Sequence, residues 1–449
     1  MIGRLNSAMR GSVSEGGSAR RQQLYMLLTM AVRMGGGLLT FFVQARYLGP
    51  HNFGVIGAAI SIAGIGSLVS DFGLHAYVMR RAGVRSSDVR RLVAAATAAK
   101  IMLSIPVTIG CFLWVWFAGF SGVETWAVML TVIGLQLHAC ADILFLQVRI
   151  QRRVVMELRT TLWTYGVMVA SVAAAAILTN DLFYTALAFL LSRIVYGTGA
   201  WHATIGFAAM GMVQRFAMRL RRLRALLRAA RFYALDAVLT NVITNIDVVV
   251  MAYFIDARAI GIYVAGSRLV QNGLPLFVMH ANLYLPSLSA QVHSKDPGIA
   301  RTLRRFNLEF FLLALLSFAG VMIGGPIANT YIYGSAYAEL NMLWVAFAAY
   351  VMGRVLICAY GVQLIAYDAI AARIAILGST LFLTMIALVV ALPQGGIHAA
   401  AWVMAASAFA TACLMIAGIA RYSLRPFAMV AQTIACIALA CIVAAVFRH

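Results

Sequence analysis

Apolar runs of about 20 residues recur along almost the whole chain, each closed by a short polar stretch. Roughly 20 helical residues span the ~30 Å hydrocarbon core of a bilayer. The pattern predicts thirteen membrane spans, at 22–45, 53–77, 92–118, 125–148, 160–179, 182–206, 232–254, 259–285, 306–326, 338–362, 374–392, 397–420 and 427–446. The expected fold is an all-α integral membrane protein: a tail at 1–21, six-helix lobes at 22–206 and 232–420 around a central cavity, a linker at 207–231 and a further helix at 427–446.

In the linker, Val213 to Arg231, Phe216, Leu220, Leu223 and Leu227 recur at helical spacing among arginines. That pattern predicts an amphipathic helix on the inner leaflet, and it matches membrane surface better than a basic nucleic-acid arm. An offset of 207 residues superposes Ala45, Tyr47, Leu48, Phe53, Gly54 and Ala58 on Ala252, Phe254, Ile255, Ile260, Gly261 and Ala265. Such an internal repeat is one way transporters build a cavity between two halves. The gaps on the outer side are short, the longest near 326–337, and none has the length of a separate domain.

Composition agrees with the pattern: 63% of residues are hydrophobic, against roughly 45–50% in soluble domains. The formal charge of +21 would fit nucleic acid, so placement decides. All but eight of the 35 basic residues lie in the N-terminal tail and alternate gaps. Of those eight, Arg46, Arg258 and Arg448 fall on the opposite side, and Arg33, Lys100, Arg193, Arg268 and Arg354 fall inside spans. This is the positive-inside rule repeated over many loops, and it predicts a cytoplasmic, uncleaved N-terminus. The six cysteines fall within spans without metal-binding spacing and are expected to be packing residues.

Ionisable groups inside a bilayer cost at least ~2.5–3.5 kcal/mol each near its centre, so each is expected to face the protein interior and pair or function. The acidic set is Asp71, Asp142, Asp236, Asp247 and Glu309, of which Asp142, Asp236 and Glu309 lie near cytoplasmic ends and suit structural pairing. Arg33, Arg193 and Arg268 lie nearer mid-span, and a guanidinium fork suits phosphate oxygens. They head the candidate substrate ligands, with Lys100 and Arg354; the alternative is static pairing with Asp71 or Asp247. His138 and Asp142, four apart on one helix face, could form a protonatable coupling pair or a buried hydrogen-bonded one; Asp71 and Asp247 are further cation-coupling candidates. Gly35, Gly36 and Gly37 after Arg33, and Gly273 and Pro275 after Arg268, mark either cavity-lining bends or close helix packing. No metalloprotease, P-loop, serine-hydrolase or acidic metal motif is placed to support catalysis. No enzyme activity, cofactor or metal is expected, and the energy for transport must come from a gradient or a partner.

The stretch RYLGPHNFG, Arg46 to Gly54, followed by Ser70, Asp71, Phe72 and Gly73, resembles the polysaccharide or O-antigen repeat-unit flippases, the Wzx-like branch of the multidrug/oligosaccharidyl-lipid/polysaccharide exporter superfamily. Thr244 to Asp247, Gly261 to Tyr263 with Arg268, and IYGSAY, Ile332 to Tyr337, are similar to that family's recurring features, and the resemblance runs from about 22 to 420. It implies alternating access by two six-helix lobes and translocation of an undecaprenyl-diphosphate-linked oligosaccharide across a bacterial inner membrane. It implies as partners glycosyltransferases, a polymerase and export machinery. The thirteenth span departs from a six-plus-six plan. Two other classes remain: a cation-coupled multidrug or lipid exporter, disfavoured by five deep positive charges, and a membrane glycan polymerase or ligase, disfavoured by short outer loops.

Overall fold

The computed structural model describes residues 2–82, 89–120, 122–151, 153–204, 220–294, 296–422 and 427–446. Helices dominate: α1 (Ile2–Asp71), α2 (Leu74–Ala82), α3 (Val89–Phe117), α4 (Gly122–Ile150), α5 (Val154–Thr179), α6 (Leu182–Thr204) and α7 (Leu220–Met251) are followed by α8 (Ala257–Gln271), α9 (Leu274–His293) and α10 (Ile299–Ala328). A π turn at Asn329–Tyr333 and a 3₁₀ stretch at Ser335–Leu343 lead into α11 (Trp344–Ala366), α12 (Ile370–Ile419) and α13 (Phe427–Val446). No strand occurs among the described residues.

Among the described residues, ten helical stretches are long and apolar enough to cross a membrane, and two of them, Leu24–Asp71 and Ile370–Ile419, run to 48 and 50 residues. Each of the two is broken once, at Gly49 (φ 74°) and at Gly396 (φ 53°). Positive φ carries little steric cost only for glycine. Each long run therefore supplies two expected spans. The eighth expected span is split between α8 and α9 at Asn272 and Gly273. The bend foreseen beside Arg268 is present, whereas Gly35 to Gly37 continue α1 unbroken. A Cβ on Gly36 would lie 2.8 Å from the Tyr165 ring, so close packing explains that glycine. Large apolar side chains such as Trp116, Leu178, Leu283 and Leu316 are exposed, the inverse of a water-soluble surface. The chain is a multi-pass, all-α membrane protein. The linker residues 205–219 and the tail side chains lie outside what is described.

The chain forms two compact units, the first of Met1–Gln44, Gly66–Phe117 and Ser121–Ala234, the second of Ala45–Ile65, Ala118–Phe120 and Leu235–His449. Residues 45–65, expected with the first lobe, thus group with the second. In the first unit, α4 is central: Ile143 and Leu146 pack with Leu74, Val78, Val93 and Ala96, and Leu144 and Phe145 pack with Met168, Val172 and Tyr196. In the second unit α11 is central, buried along most of its length against α9, α10, α12 and α13.

The grouping of 45–65 with the second unit has a visible cause. A Cβ on Gly54 would sit 1.8 Å from the Ala257 carbonyl oxygen, and a Cβ on Gly261 would sit 1.8 Å from that of Pro50. Both pairs obey the 207-residue offset in reverse, so the repeated segments pack on one another at a glycine-permitted approach. Other resemblance-bearing residues gather in the same unit. The Tyr337 hydroxyl donates to the Ala45 carbonyl at 2.8 Å, Arg46 donates to the Ile332 carbonyl at 3.0 Å, and Tyr333 donates to the Ala265 carbonyl at 2.9 Å. These motifs are packing elements of the second unit.

Candidate functional site

Four helices of the first unit, α1, α4, α5 and α6, gather buried charges into a self-neutralising network. Arg33 on α1 donates to Asp142 Oδ1 at 2.6 Å, Glu157 Oε1 at 3.0 Å and the Tyr196 hydroxyl at 2.8 Å. Arg149, at the end of α4, forks onto the same Glu157, with Nη2 to Oε1 at 2.6 Å and Nε to Oε2 at 2.9 Å. Glu157 is almost fully buried, and Tyr196 also donates to Asp142 at 3.3 Å. Two arginines and two carboxylates therefore cancel. Such fork geometry is strong and leaves few donors for a ligand. Lys100 on α3 is likewise engaged, with Nζ 2.6 Å from Asp71 Oδ1.

Arg193 on α6 differs. It meets no carboxylate among the described residues: its guanidinium lies 4.6 Å from the Phe189 ring centroid and 5.4 Å from that of Tyr165, with His138 Nδ1 at 3.5 Å. His138 and Asp142 do not bond to each other. His138 contacts Tyr165 and Arg193, and its ring lies 4.4 Å from that of Tyr196 at a tilt of 47°, whereas Asp142 is held by Arg33 and Tyr196.

In the second unit the cations have neutral partners. Arg268 on α8 donates to Ser61 Oγ at 2.5 Å and to Gln271 Oε1 at 3.4 Å, and Gln271 donates on to the Thr244 carbonyl at 3.2 Å. Arg354 on α11 donates to the Thr244 hydroxyl at 3.1 Å and lies 5.9 Å from the Tyr350 ring centroid. Two guanidiniums thus converge through one threonine of α7 without an ion pair to any described residue. Asp247, one turn further along α7, accepts from the Tyr263 hydroxyl at 2.6 Å, and its other oxygen is buried without a hydrogen-bond partner. Charged pairs elsewhere in this unit are peripheral: Asp236 with Arg373 at 3.4 Å, and Glu309 with His280 at 2.6 Å and Tyr284 at 2.5 Å.

The static pairing with Asp71 or Asp247 that stood as the alternative to substrate binding is not formed: Arg33 is held by Asp142 and Glu157, and Arg268 by Ser61 and Gln271. The sequence reading missed Glu157, Arg149, Tyr196, Ser61 and Gln271 as partners. Only Ser61 carried a signal, since it stands 207 residues before Arg268.

Comparison with known proteins follows this geometry. Residues 20–291 match the family described as polysaccharide biosynthesis protein. The lipid II flippase MurJ, in an inward closed conformation, superposes with a TM-score of 0.65 at 11% identity, covering 94% of this chain and 98% of that one. An inward-facing multidrug resistance MATE family transporter of the MOP superfamily gives 0.62 at 13% identity, covering 90% and 98%. The eukaryotic MATE transporter AtDTX14 gives 0.59 at 10%, covering 93% and 98%. No curated protein matches the chain in sequence. At such identities the likeness is one of fold, shared by flippases and exporters.

Proposed function

The chain belongs to the polysaccharide biosynthesis protein family, and from that premise we propose that it is a flippase for an undecaprenyl-diphosphate-linked oligosaccharide repeat unit, acting by alternating access in a bacterial inner membrane. The product would feed exopolysaccharide, capsule or O-antigen synthesis, with glycosyltransferases upstream and a polymerase and export machinery downstream. The basic residues gathered in the tail and alternate gaps support a cytoplasmic N-terminus.

One observation carries the reading: Arg193, Arg268 and Arg354 hold positive charge at membrane depth without an ion pair to any described carboxylate, Asp247 acting on Arg268 only through space. An unneutralised cation there costs several kcal/mol unless a ligand supplies the counter-charge. A diphosphate leaving water needs such donors. Arg33 and Lys100, paired internally, fit a supporting role better than direct ligation. Asp247, buried and bound to no cation, is the preferred coupling residue; Asp71, Asp142 and His138 are engaged by other side chains.

A cation-coupled exporter is the second reading, favoured by the comparable superposition on multidrug transporters. Uncompensated arginines would repel cationic drugs, which places it second. The deciding experiment is complementation of a strain lacking this protein. Arg268→Ala and Arg354→Ala are expected to reduce polysaccharide output tenfold or more at unchanged protein level, consistent with ~1.5–3 kcal/mol for a charged hydrogen bond. Wild-type output from both, or raised drug tolerance on overexpression, would overturn the flippase reading.

A further inference from the structure

Away from these charges, the first unit carries a groove of about 950 Å³ between α5 and α6. Its walls are apolar: Leu162, Trp163, Val167, Ala170 and Val195 line it, and Gly166 leaves it deep, with no atom within 4 Å of where a Cβ would stand. Two of its threonines are already satisfied, Thr164 by the Thr160 carbonyl at 2.8 Å and Thr198 by the Val195 carbonyl at 3.0 Å. Those two hydroxyls therefore ask for no further polar partner.

One end of the groove is different. Arg159 stands in the second turn of α5 and His202 in the last turn of α6, so this antiparallel hairpin brings both to the same mouth, on the side of the basic gaps. Both are exposed, and neither makes an ion pair or hydrogen bond with a described residue. Trp163, 69% exposed, stands one turn deeper, where indoles sit at the level of lipid headgroups.

We infer that this groove is a binding site for one anionic glycerophospholipid of the leaflet on the basic side. Its phosphate sits between Arg159 and His202, and an acyl chain lies over Gly166 and Ala170. The volume falls within the roughly 300–1,000 Å³ of ligand clefts. An apolar cleft at this depth excludes water and is surrounded by lipid chains, and the exposed Arg159 guanidinium at its mouth, with His202 beside it as a further hydrogen-bonding group, selects a negative headgroup. The site is separate from the arginines assigned to the flipped substrate and does not depend on that assignment.

Native mass spectrometry of the full-length protein, delipidated and titrated separately with dioleoyl phosphatidylglycerol, dioleoyl phosphatidylcholine and undecaprenyl diphosphate, tests this. One phosphatidylglycerol is expected to be retained in preference to phosphatidylcholine, and Arg159→Ala and His202→Ala each to weaken it about fivefold. Arg159→Lys should restore most of the binding. Gly166→Leu, which fills the groove where space is open, should abolish retention at an unchanged unfolding temperature, and it decides the matter if the charge variants fail to fold. Equal retention of phosphatidylcholine, or unaltered phosphatidylglycerol binding in Gly166→Leu, would overturn the site. Displacement by equimolar undecaprenyl diphosphate would assign the groove to the carrier lipid instead. A photo-crosslinker at position 166 that captures residues 205–219 would assign it to the chain's own linker.

Discussion

The two units treat buried arginine in opposite ways. In the first, Arg33 and Arg149 share Glu157 and Asp142, and Lys100 holds Asp71, so that among the described buried cations only Arg193 lacks an ion pair. In the second, Arg268 and Arg354 hydrogen-bond to serine, glutamine and threonine, and Asp247, held by a tyrosine, acts on Arg268 only through space. A cation neutralised by carboxylates has little charge left for a ligand and is costly mainly when one partner is removed; one satisfied by neutral oxygens keeps its charge for a ligand. Depth in the membrane alone did not distinguish the two cases, since Arg33 and Arg268 both lie in mid-span.

The largest effect is expected from breaking the first network at its shared carboxylate. Glu157→Ala leaves Arg149 without its fork and Arg33 with Asp142 and Tyr196 only, at a cost of ~3–5 kcal/mol typical of an orphaned buried charge. Thermal unfolding in detergent should drop by many degrees or the protein should fail to accumulate. A variant as stable as the parent would mean that water, not Glu157, solvates these arginines.

Replacing arginine by lysine separates the two roles at a smaller scale. Lysine keeps the charge but loses the planar fork. Arg33→Lys gives up two of three contacts, so about 1–3 kcal/mol of stability should go with it. Arg268→Lys should leave the unfolding temperature close to the parent and lower polysaccharide output several-fold. Identical behaviour of the two variants would erase the distinction between the units.

How much of this was legible in the sequence depends on the range of the interaction. Span positions and the break at Gly49 follow from local hydropathy and a Gly-Pro pair, and they were readable directly. The grouping of 45–65 with the second unit was not, because helical periodicity says that a segment is helix without saying what it packs on. The 207-residue offset held the clue, since Gly54 and Gly261 face one another's backbones across it. Ion partners were the least legible. Arg33 finds Asp142 and Glu157 at separations of 109 and 124 residues, and Asp71 was an equally good choice until α3 placed Lys100 beside it.

That Lys100–Asp71 pair offers the next test in size. If it only joins α1 to α3, replacing both with apolar residues of similar volume should be close to neutral, as for many buried ion pairs. Lys100→Met with Asp71→Leu is expected to shift stability by no more than about 1 kcal/mol and to preserve polysaccharide output. Each single variant should be worse than the double. A stable double variant with lost output would instead give the pair a part in transport, and the first unit would no longer be merely structural.

The smallest effect should come from the second unit's exposed contact between His280 and Glu309. His280 and Glu309 approach to 2.6 Å, but their side chains are 36% and 33% exposed, and Tyr284 shares the carboxylate. Pairs this open to solvent contribute ~0–1 kcal/mol. Glu309→Gln keeps the shape and an acceptor for Tyr284, so unfolding temperature and polysaccharide output should both stay near the parent, in contrast with Glu157→Ala. A large loss of output without loss of stability would show that the second unit uses this carboxylate in transport, and its charge could no longer be described by the arginines and Asp247 alone.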